Sequence, residues 1–411
     1  MSINKNNKKD SILKNRAIKV IPGGMYGHQN SSNLPDGYPQ FMESGKGCKI
    51  WDVDGNEYID LMCSYGPIIL GHCHHKVEEA AVRQQNLGDC QNGPSKHMVE
   101  LAEKLENIVK HCNWVIFAKN GTDSTTICLM IARAASKNDK VLVAKGAYHG
   151  SNTWCTPIKT GTTLEERKNI VEFIFNDLDS VDEAIHKSNN QIAAILVSPF
   201  RHDSGFDQEL VDPIFAKGLR ERCDAIGAAL ILDDVRCGFR LNYGSSWEPL
   251  GVLPDLSAWS KAIANGYPIA VVTGKEYLRK HASEIYVTGS FWFSAVAMAA
   301  ACATLEALYQ ENSISKMEKA GRLLRDGLSQ QAENYGIKIK QTGPVQMPYL
   351  SFENDSDYHK INLFCTEAIK RGAFLHPKHN WFVSSSHTES DINDVLRITE
   401  YSFQRIYENF R

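Results

Sequence analysis

The sequence predicts an α/β fold in which helices cover both faces of a mainly parallel sheet, with a smaller α+β domain built from the chain ends. From about Val77 to Trp259, helical segments alternate with short apolar runs such as IAAILVS and AALILDD, which is typical of βαβ units. After about Ser313 the chain returns to helices with shorter strands. The composition, 43% hydrophobic and 23% charged residues, is that of a globular protein with a large core.

The first 65 residues are expected to add a small β element ahead of this sheet. The segment SILKNRAIKVIPGG predicts a short helix that ends before Pro22, and Gly23-Gly24 suits an irregular loop that approaches a ligand. The alternation in GCKIWDVDGNEYIDLM, on both sides of Asp54-Gly55, predicts a β-hairpin with a tight turn. We therefore expect three parts, 1–65 and 306–411 in the small domain and 66–305 in the large one.

Several classes of protein are excluded by composition. The formal net charge is -3 with acids and bases mixed, so neither nucleic acid nor an anionic membrane surface is an expected partner. The most apolar stretch, SAVAMAAACATLEAL, is too short to span a bilayer and predicts a buried helix. The polar start MSINKNNKKD lacks the apolar segment of a signal peptide. Eleven cysteines without a CxxC pair predict buried thiols in a reducing, cytoplasmic compartment.

Ligands of such sheets bind beyond the carboxyl ends of the strands, so the residues at strand ends are the candidates for chemistry. Asp233 ends the run ALILDD, Tyr148-His149-Gly150 follows KVLVAKGA, and Lys261 follows DLSAWS. A lysine in an apolar segment is paired, neutral or covalently modified, because burying a bare ammonium costs several kcal/mol.

Together these residues match the demands of pyridoxal 5'-phosphate. A neutral Lys261 can hold the cofactor as a Schiff base, and Asp233 can keep a pyridine nitrogen protonated. Gly121-Thr122 opens a helix whose free N–H groups suit a phosphate, and Tyr148 can lie against a flat ring. Each feature alone also has an ordinary interpretation, namely a solvated lysine, a helix cap, a plain helix start and a core tyrosine. Their combination favours the cofactor.

Longer motifs carry a resemblance to a known family. The strings GCKIWDVDGNEYIDLMCSYGPIILGHCHHKV, NGTDSTTICLMIARAA, AYHG, ALILDDVRCGFR, PDLSAWSKAIANGYPIAVVTG and GSFWFSAVAMAAACATL follow one another as in the class III pyridoxal-phosphate aminotransferases. The match runs from about Ile21 to His387 and is nearest to the glutamate-1-semialdehyde aminomutase branch.

The resemblance implies fold type I, a seven-stranded type of sheet, and a homodimer with shared active sites. It implies that Lys261 and Asp233 are catalytic and bind the cofactor, with Val235 on one ring face and Tyr148 on the other. Gly121 and Thr122 would bind the phosphate. Ser290, where the family usually has threonine, would reach the phosphate of the neighbouring subunit.

Departures from the family pattern bear on the substrate. Asn30 stands where the aminomutases carry the arginine that binds the substrate carboxylate, and Ser198 replaces a usual glutamate. His379 also stands where glutamate is common. These changes put glutamate-1-semialdehyde in doubt, and we expect Tyr65, His379 and Tyr26 to contact the substrate instead.

The leading hypothesis is an aminotransferase that moves an amino group from a small-molecule donor to a keto or aldehyde acceptor through a Lys261 Schiff base. The alternative is an isomerase, an aminomutase or epimerase, that uses the same residues. A binding protein without chemistry would be expected to have lost Lys261 or Asp233. A metal site at His72, His74 and His75 is not expected, since no distant further ligand is evident.

Two residues beside the candidate site are expected to have other roles. Arg236 is expected to pair with Asp234 or another carboxylate, and His149 is expected to be structural.

Overall fold

The computed structural model describes residues 7–35 and 37–410, and the chain divides into two compact units. We call 66–68 with 75–314 the central unit, and the described residues up to 65, 69–74 and 315–410 the terminal unit. Most of the polar segment predicted at the start, residues 1–6, lies outside the described residues. Along the chain, the change from the central to the terminal unit comes at 314/315, and the division into 1–65, 66–305 and 306–411 stays a prediction.

The helices and strands of the described residues are numbered here in chain order. The α-helices are α1 Lys8–Val20, α2 His75–Gln85, α3 His97–Ile108, α4 Gly121–Ser136, α5 Leu178–Lys187, α6 Pro213–Ile226, α7 Arg279–Glu284, α8 Ala295–Gln310, α9 Ser313–Asn334, α10 His359–Lys370 and α11 Glu389–Asn409. The strands are β1 Met42–Lys46, β2 Lys49–Asp52, β3 Glu57–Asp60, β4 Trp114–Ala118, β5 Lys140–Ala144, β6 Ile170–Phe173, β7 Ile192–Val197, β8 Ala229–Asp233, β9 Leu256–Trp259, β10 Ala270–Gly274, β11 Ile339–Thr342, β12 Tyr349–Phe352 and β13 Ala373–Phe374.

The central unit contains a seven-stranded sheet in the order β4-β10-β9-β8-β7-β5-β6. Strand β10 runs antiparallel to both β4 and β9, and the remaining pairs are parallel. Because β4 and β9 both oppose β10, they point the same way, and the carboxyl ends of β4, β9, β8 and β7 lie on one edge. The mainly parallel, seven-stranded prediction is confirmed.

Helices pack on both faces of this sheet because its central strands are apolar on both sides. Strand β7 is buried along its whole length. Its Leu196 belongs to the core cluster that includes the apolar side of α4, whereas Ile195 and Val197 belong to the cluster that includes Phe215 of α6. This two-sided burial is what parallel strands require. It leaves the strand ends as the places where polar side chains can stand.

The terminal unit is built from both ends of the chain. Strands β2 and β3 form the predicted hairpin, with Gly55 in the turn at φ +85°, a value that favours glycine. Strand β13 pairs with β3 in parallel, through Ala373 and Ile59, so the C-terminal part of the chain completes a sheet begun near the N-terminus. The predicted helix before Pro22 is α1.

The alanine-rich segment SAVAMAAACATLEAL forms α8 from its second residue onward, with Ser294 as the N-cap, and most residues of α8 are buried, as predicted. Among the described residues, no helix combines the length and apolarity that crossing a membrane requires.

Candidate active site

A cavity of about 230 Å³ opens at the carboxyl edge of the central sheet. Its wall is formed by residues that follow β4, β5, β7, β8 and β9, which the sheet order brings side by side. Six of the predicted cofactor residues line it, namely Lys261, Asp233, Val235, Tyr148, Gly121 and Thr122.

Lys261 stands at the start of a single 3₁₀ turn directly after β9 and Ser260. Its backbone has φ 47°, a left-handed conformation that is rare and strained for a residue with a side chain. Its amine makes no hydrogen bond or ion pair with any described residue. The pKa of Lys261 is lowered to about 7, chiefly because the amine is buried and also because the Arg236 charge is nearby, while Asp233 opposes the shift. A substantial fraction of the amine is therefore neutral near pH 7.

Asp233 is the last residue of β8 and is held in place through both carboxylate oxygens. Its Oδ2 lies 2.7 Å from His149 Nδ1, and its Oδ1 accepts a hydrogen bond from the Val235 backbone N–H at 3.1 Å. His149 is buried, and its Nε2 has no hydrogen-bond partner in the part of the chain that the structure describes. His149, expected to be structural, therefore also fixes the orientation of a candidate catalytic residue.

The amino end of α4 forms a polar cradle beside these residues. Asp123 closes the helix start by accepting a hydrogen bond from Asn120 N at 2.9 Å, and the helix dipole leaves this end partly positive. A Cβ at Gly121 would lie 2.7 Å from Val235 Cγ1, and one at Gly150 would lie 2.6 Å from Thr122 Oγ1. Because a side chain at either position would clash with these atoms, both positions require glycine.

Two predicted residues of the central unit are exposed. Tyr148 lines the cavity but is 42% exposed, so one side of it faces outward. Ser290 is exposed, as is the neighbouring Phe291, and Ser290 is not among the residues that line the cavity.

Arg236 and Asp234, expected as a possible pair, each make hydrogen bonds to other residues. Asp234 accepts hydrogen bonds from Ser245 and Ser246, and burial raises its pKa to about 7. Arg236 donates from Nη1 to the backbone oxygen of His202 at 3.2 Å. The expectation that Arg236 pairs with Asp234 or another carboxylate stays a prediction.

His202 is a cavity residue that sequence reasoning missed. It follows β7 in the segment SPFRH, its ring is buried, and its Nδ1 has no hydrogen-bond partner among the described residues. Burial lowers the pKa of His202 well below its ordinary value, and the Arg236 and Lys261 charges act in the same direction. The only sequence signal was a polar residue shortly after an apolar strand.

The residues predicted to contact substrate lie together in the terminal unit. The ring of Tyr65 meets that of His379 edge-on, with centroids 5.1 Å apart, and burial, with the nearby Tyr26 hydroxyl, raises the pKa of Tyr65. Tyr65 ends a turn, Cys63–Tyr65, whose three residues all have positive φ. His376, which sequence reasoning missed, packs against both rings, and burial lowers its pKa to about 4.

Other residues discussed from the sequence have structural partners. Asn30 caps a short 3₁₀ turn, because its side chain accepts hydrogen bonds from Ser32 N and Oγ. His72 Nε2 lies 2.8 Å from Asp60 Oδ2. Within residues 7–35 and 37–410, no group of three or more histidine, cysteine or acidic side chains is arranged to hold a metal ion.

The comparisons with known proteins agree with this geometry. The model of the family "Aminotransferase class-III" matches residues 34–385. An aminopentol aminotransferase of Sphingopyxis macrogoltabida is 42% identical over 405 residues, which cover 98% of this chain and 96% of the relative. The chain belongs to the class III aminotransferases.

Two further relatives refine the likeness. The structure of the FumI protein of Sphingopyxis sp. MTA144, in its PLP internal aldimine form, superimposes with a TM-score of 0.97 at 42% identity and covers 98% of this chain and 97% of that one. A glutamate-1-semialdehyde 2,1-aminomutase of Chloroherpeton thalassium is 30% identical over 430 residues, covering 98% and 99%. The chain is a pyridoxal-phosphate-dependent aminotransferase of fold type I.

The residues of the cavity fit pyridoxal phosphate. The cofactor needs an amine for its aldehyde, an acid for its ring nitrogen and N–H donors for its phosphate. The cavity supplies a lysine of lowered pKa, a hydrogen-bonded aspartate and a helix start packed too tightly for any side chain at Gly121.

Proposed function

We propose that Lys261 carries the cofactor and that the protein transfers the amino group of an amino alcohol to a carbonyl acceptor. The observation that supports the first part most strongly is the Lys261 amine itself, enclosed beside Asp233, without a hydrogen-bonding partner among the described residues and with a pKa of about 7. An unprotonated amine is the form that attacks a carbonyl. A lysine whose purpose was structural would be paired with a carboxylate.

The chemistry divides between the cofactor and the chain. Bound pyridoxal phosphate supplies an aldehyde that condenses with amines and a ring that withdraws electrons. Lys261 Nζ, once released from the aldehyde, takes the proton from the amine-bearing carbon of the donor and later returns one. Asp233 holds a proton on the ring nitrogen, and His149 keeps that carboxylate oriented.

The remaining cavity residues position the ring. All four residues line the cavity, where Val235 and Tyr148 would contact the faces of the ring and the N–H groups at Gly121 and Thr122 would bind the phosphate. The position of Val235 is restricted, because its side chain takes up the space that a Cβ at Gly121 would need and its N–H donates a hydrogen bond to Asp233.

The donor proposed is an amine that carries hydroxyl groups rather than a carboxylate. Two observations support it. The relative at 42% identity is named for an aminopentol, and the position of the aminomutase arginine is occupied by Asn30, which is engaged in capping a turn. Without an arginine at this position, a bidentate contact to a carboxylate is lost. Tyr26, Tyr65 and His379 supply hydroxyl and imidazole groups that suit a substrate rich in hydroxyls.

The alternative function is that of an isomerase, an aminomutase or epimerase. The stoichiometry of the carbonyl acceptor distinguishes it from an aminotransferase. An aminotransferase needs a separate carbonyl acceptor to complete each cycle, whereas an isomerase does not. The substituted arginine position favours the transferase.

A homodimer is proposed as the working state, with Ser290 reaching the phosphate of the neighbouring subunit. In support, Ser290 is exposed, and large apolar side chains of the central unit are exposed too, including Leu87, Tyr286 and Phe291. Sedimentation is expected to give twice the chain mass. Mixed dimers of Lys261→Ala and Ser290→Ala should then contain one site with both residues intact and recover activity that neither variant has in full.

The proposed compartment is the cytoplasm. All eleven cysteines are free thiols, and nine of them are buried, which suits a reducing compartment.

The experiment that tests the function is a single half-reaction. Purified protein with its cofactor is mixed with an amino alcohol that carries several hydroxyl groups, with alanine or with glutamate, and the visible absorption of the bound cofactor is followed. We expect the absorption to disappear with the amino alcohol and to return when a 2-oxo acid is added. Loss of absorption with glutamate alone would contradict the proposed donor class, and no response to any amine would contradict the function of the site.

A further inference from the structure

His376 belongs to the group of aromatic rings in the terminal unit that also contains Tyr65 and His379. Its ring centroid lies 6.4 Å from that of Tyr65 and 6.2 Å from that of His379, and both contacts are edge-on. Tyr65 and His379 are two of the residues predicted to contact the substrate. His376 is therefore close enough to their rings to touch the same ligand.

The backbone of His376 is held by two buried aromatic side chains. The Tyr38 hydroxyl donates a hydrogen bond to the Leu375 backbone oxygen at 2.8 Å, and the Trp381 indole N–H donates one to the His376 backbone oxygen at 2.9 Å. Because these contacts fix the chain in advance, little conformational freedom is lost when a ligand binds to the ring. The ring can thus contribute to selectivity.

The position of the proton on the His376 ring is set by the backbone. The Lys378 backbone N–H donates a hydrogen bond to His376 Nδ1 at 3.1 Å, and a ring nitrogen that accepts a hydrogen bond carries no proton. The neutral ring therefore carries its proton on Nε2. Burial lowers the pKa of His376 to about 4, and the Lys378 charge acts in the same direction. Near pH 7 this residue is an uncharged hydrogen-bond donor.

The Nε2–H group of His376 is left for a ligand. It makes no hydrogen bond with any residue in the part of the chain that the structure describes, and Nε2 is not one of the buried side-chain atoms that lack a partner. A ring nitrogen that lacks a partner and is not buried is accessible. The neighbouring His379 differs, because its Nδ1 lies 2.7 Å from the Asn380 backbone oxygen and a ring proton is used there.

We propose that His376 donates a hydrogen bond from Nε2 to a hydroxyl oxygen of the amine donor, and that it helps to select an alcohol over a carboxylate. This inference rests on the proposed function, which takes the donor to be an amine that carries hydroxyl groups. An uncharged donor satisfies the oxygen of an alcohol. A carboxylate enclosed at the same place would lack the positive charge that stabilises it.

Lys378 carries the positive charge that acts on His376, and its position limits what it can offer to a carboxylate. Its side chain is exposed, and its Nζ lies 4.7 Å from the centroid of the Tyr358 ring. Water and salt weaken the attraction between an exposed ammonium and an anion. Selection by His376 therefore does not depend on Lys378, which makes Lys378 a suitable control position.

The test compares two amines that differ in their hydroxyl groups. Cofactor-loaded protein is assayed with 1-amino-1-deoxyglucitol, which has a hydroxyl on every carbon except the one that bears the amine. It is also assayed with hexylamine, which has the same carbon chain without hydroxyls, and with alanine. The ratio of kcat/KM for the first two amines is compared between variants, which removes the intrinsic difference in reactivity between these amines.

Two substitutions separate the roles of the ring nitrogens. His376→Asn can keep an acceptor near the position of Nδ1 and removes the donor at Nε2, whereas His376→Gln can keep a donor near Nε2. We expect His376→Asn to lower the ratio by about 3- to 10-fold, the range for one hydrogen bond between uncharged groups, and His376→Gln to keep most of it. Lys378→Gln leaves the backbone N–H in place and should keep the wild-type ratio. In all three variants, kcat/KM for alanine should change by less than about twofold.

The outcomes separate this inference from the proposed function. An unchanged ratio in His376→Asn would overturn the inference, as would an equal loss of kcat/KM for alanine or an effect confined to KM for the 2-oxo acid. Each of these results would show that His376 does not bind a hydroxyl group of the donor. A wild type that accepts hexylamine but not the hydroxylated amine would also overturn it.

A further pair of variants decides the matter if His376→Asn does not fold. His376→Gln and His376→Met both lose the acceptor at Nδ1, and only glutamine carries a donor, so equal ratios in these two would overturn the inference. A wild type that accepts neither hexylamine nor 1-amino-1-deoxyglucitol would overturn the proposed function, and the inference with it.

Discussion

Each edge of the central sheet carries a cluster of charged side chains. The two clusters have similar composition but differ in how fully their charged groups are hydrogen-bonded. At the amino edge, Asp255 precedes β9 and accepts hydrogen bonds from Arg220 at 2.6 Å, Lys275 at 2.9 Å and Leu230 N at 2.8 Å. At the carboxyl edge, Asp233 binds His149 and Val235 N, and Lys261 has no hydrogen-bonding partner among the described residues. One cluster is saturated with partners, and the other leaves an amine available.

The pKa shifts of Arg220 at the amino edge and Arg236 at the carboxyl edge differ as well. Although burial works against its charge, the pKa of Arg220 is raised because Asp255 and Asp224 surround it. Burial lowers the pKa of Arg236, and the carboxylates near it only partly offset that effect. A buried charge that is fully paired mainly supports the fold, whereas a site that must bind a cofactor keeps unsatisfied groups. We therefore expect substitutions at the amino edge to change stability and those at the carboxyl edge to change chemistry.

The largest expected effect is that of Lys261→Ala on activity. Loss of the covalent anchor and of the base should lower kcat/KM for the amine donor by about 10⁴-fold or more. Lys275→Ala is the matched control at the amino edge and should change kcat/KM by less than about threefold in folded protein. Comparable losses of kcat/KM in the two variants would remove the distinction between the edges.

Asp255→Asn should have the largest effect on stability. The change leaves Arg220 and Lys275 near a neutral amide, and breaking a buried ion pair costs about 3–5 kcal/mol of unfolding free energy. Denaturant titration of the apo protein measures this loss. Activity per folded molecule should remain close to the wild-type value, and a selective loss of activity without destabilisation would show that the amino edge takes part in the chemistry.

Asp233→Asn should show the reverse behaviour. An amide cannot hold a proton on the ring nitrogen, so kcat for the half-reaction should fall by about 10²- to 10³-fold, the range for loss of one electrostatic contact to the reacting group. Unfolding free energy of the apo protein should change less than in Asp255→Asn. Stopped-flow absorption with the amine donor gives the rate, and a rate within tenfold of wild type would contradict the assigned role.

The pH dependence of cofactor capture should reveal the free amine of Lys261. Its pKa is lowered to about 7, so the amine is protonated and unreactive below that pH and neutral above it. The rate at which the apo protein takes up pyridoxal phosphate is divided by the rate at which a simple alkylamine reacts with pyridoxal phosphate at the same pH. This ratio should therefore show that the pKa of Lys261 lies below that of the alkylamine. The uncorrected rate should fall about tenfold per pH unit below 7 and level off above it. A rate that keeps rising to about pH 10 would show an amine with its ordinary pKa.

The sequence predicted the sheet because its strands are continuous apolar runs between amphipathic helices, as in IAAILV at β7. The same reasoning placed Lys261, Asp233 and Tyr148 at strand ends, and the structure places them around one cavity. The tight packing of Gly121 against Val235 could not be read from the sequence, because the contact joins residues 114 positions apart and depends on the position of α4.

Side-chain partners were the part that sequence reasoning could not supply. Arg236 was expected to pair with Asp234 or another carboxylate because it follows the aspartates in sequence, but nothing in the sequence showed that Asp234 would accept hydrogen bonds from Ser245 and Ser246 or that Arg236 would donate to the His202 backbone oxygen. His202 gave no periodic signal, since it follows a strand in an irregular loop. Its burial and its unsatisfied nitrogen are properties of the folded chain.

The central claim is that Lys261, rather than any other lysine, carries the cofactor. The most direct measurement is borohydride reduction of the purified protein with its cofactor, followed by proteolysis and mass spectrometry of the peptides. We expect one modified peptide, with the phosphopyridoxyl group on Lys261, and no visible absorption left after reduction. A modification on a different lysine, or an unmodified Lys261 after the absorption has been lost, would contradict the account.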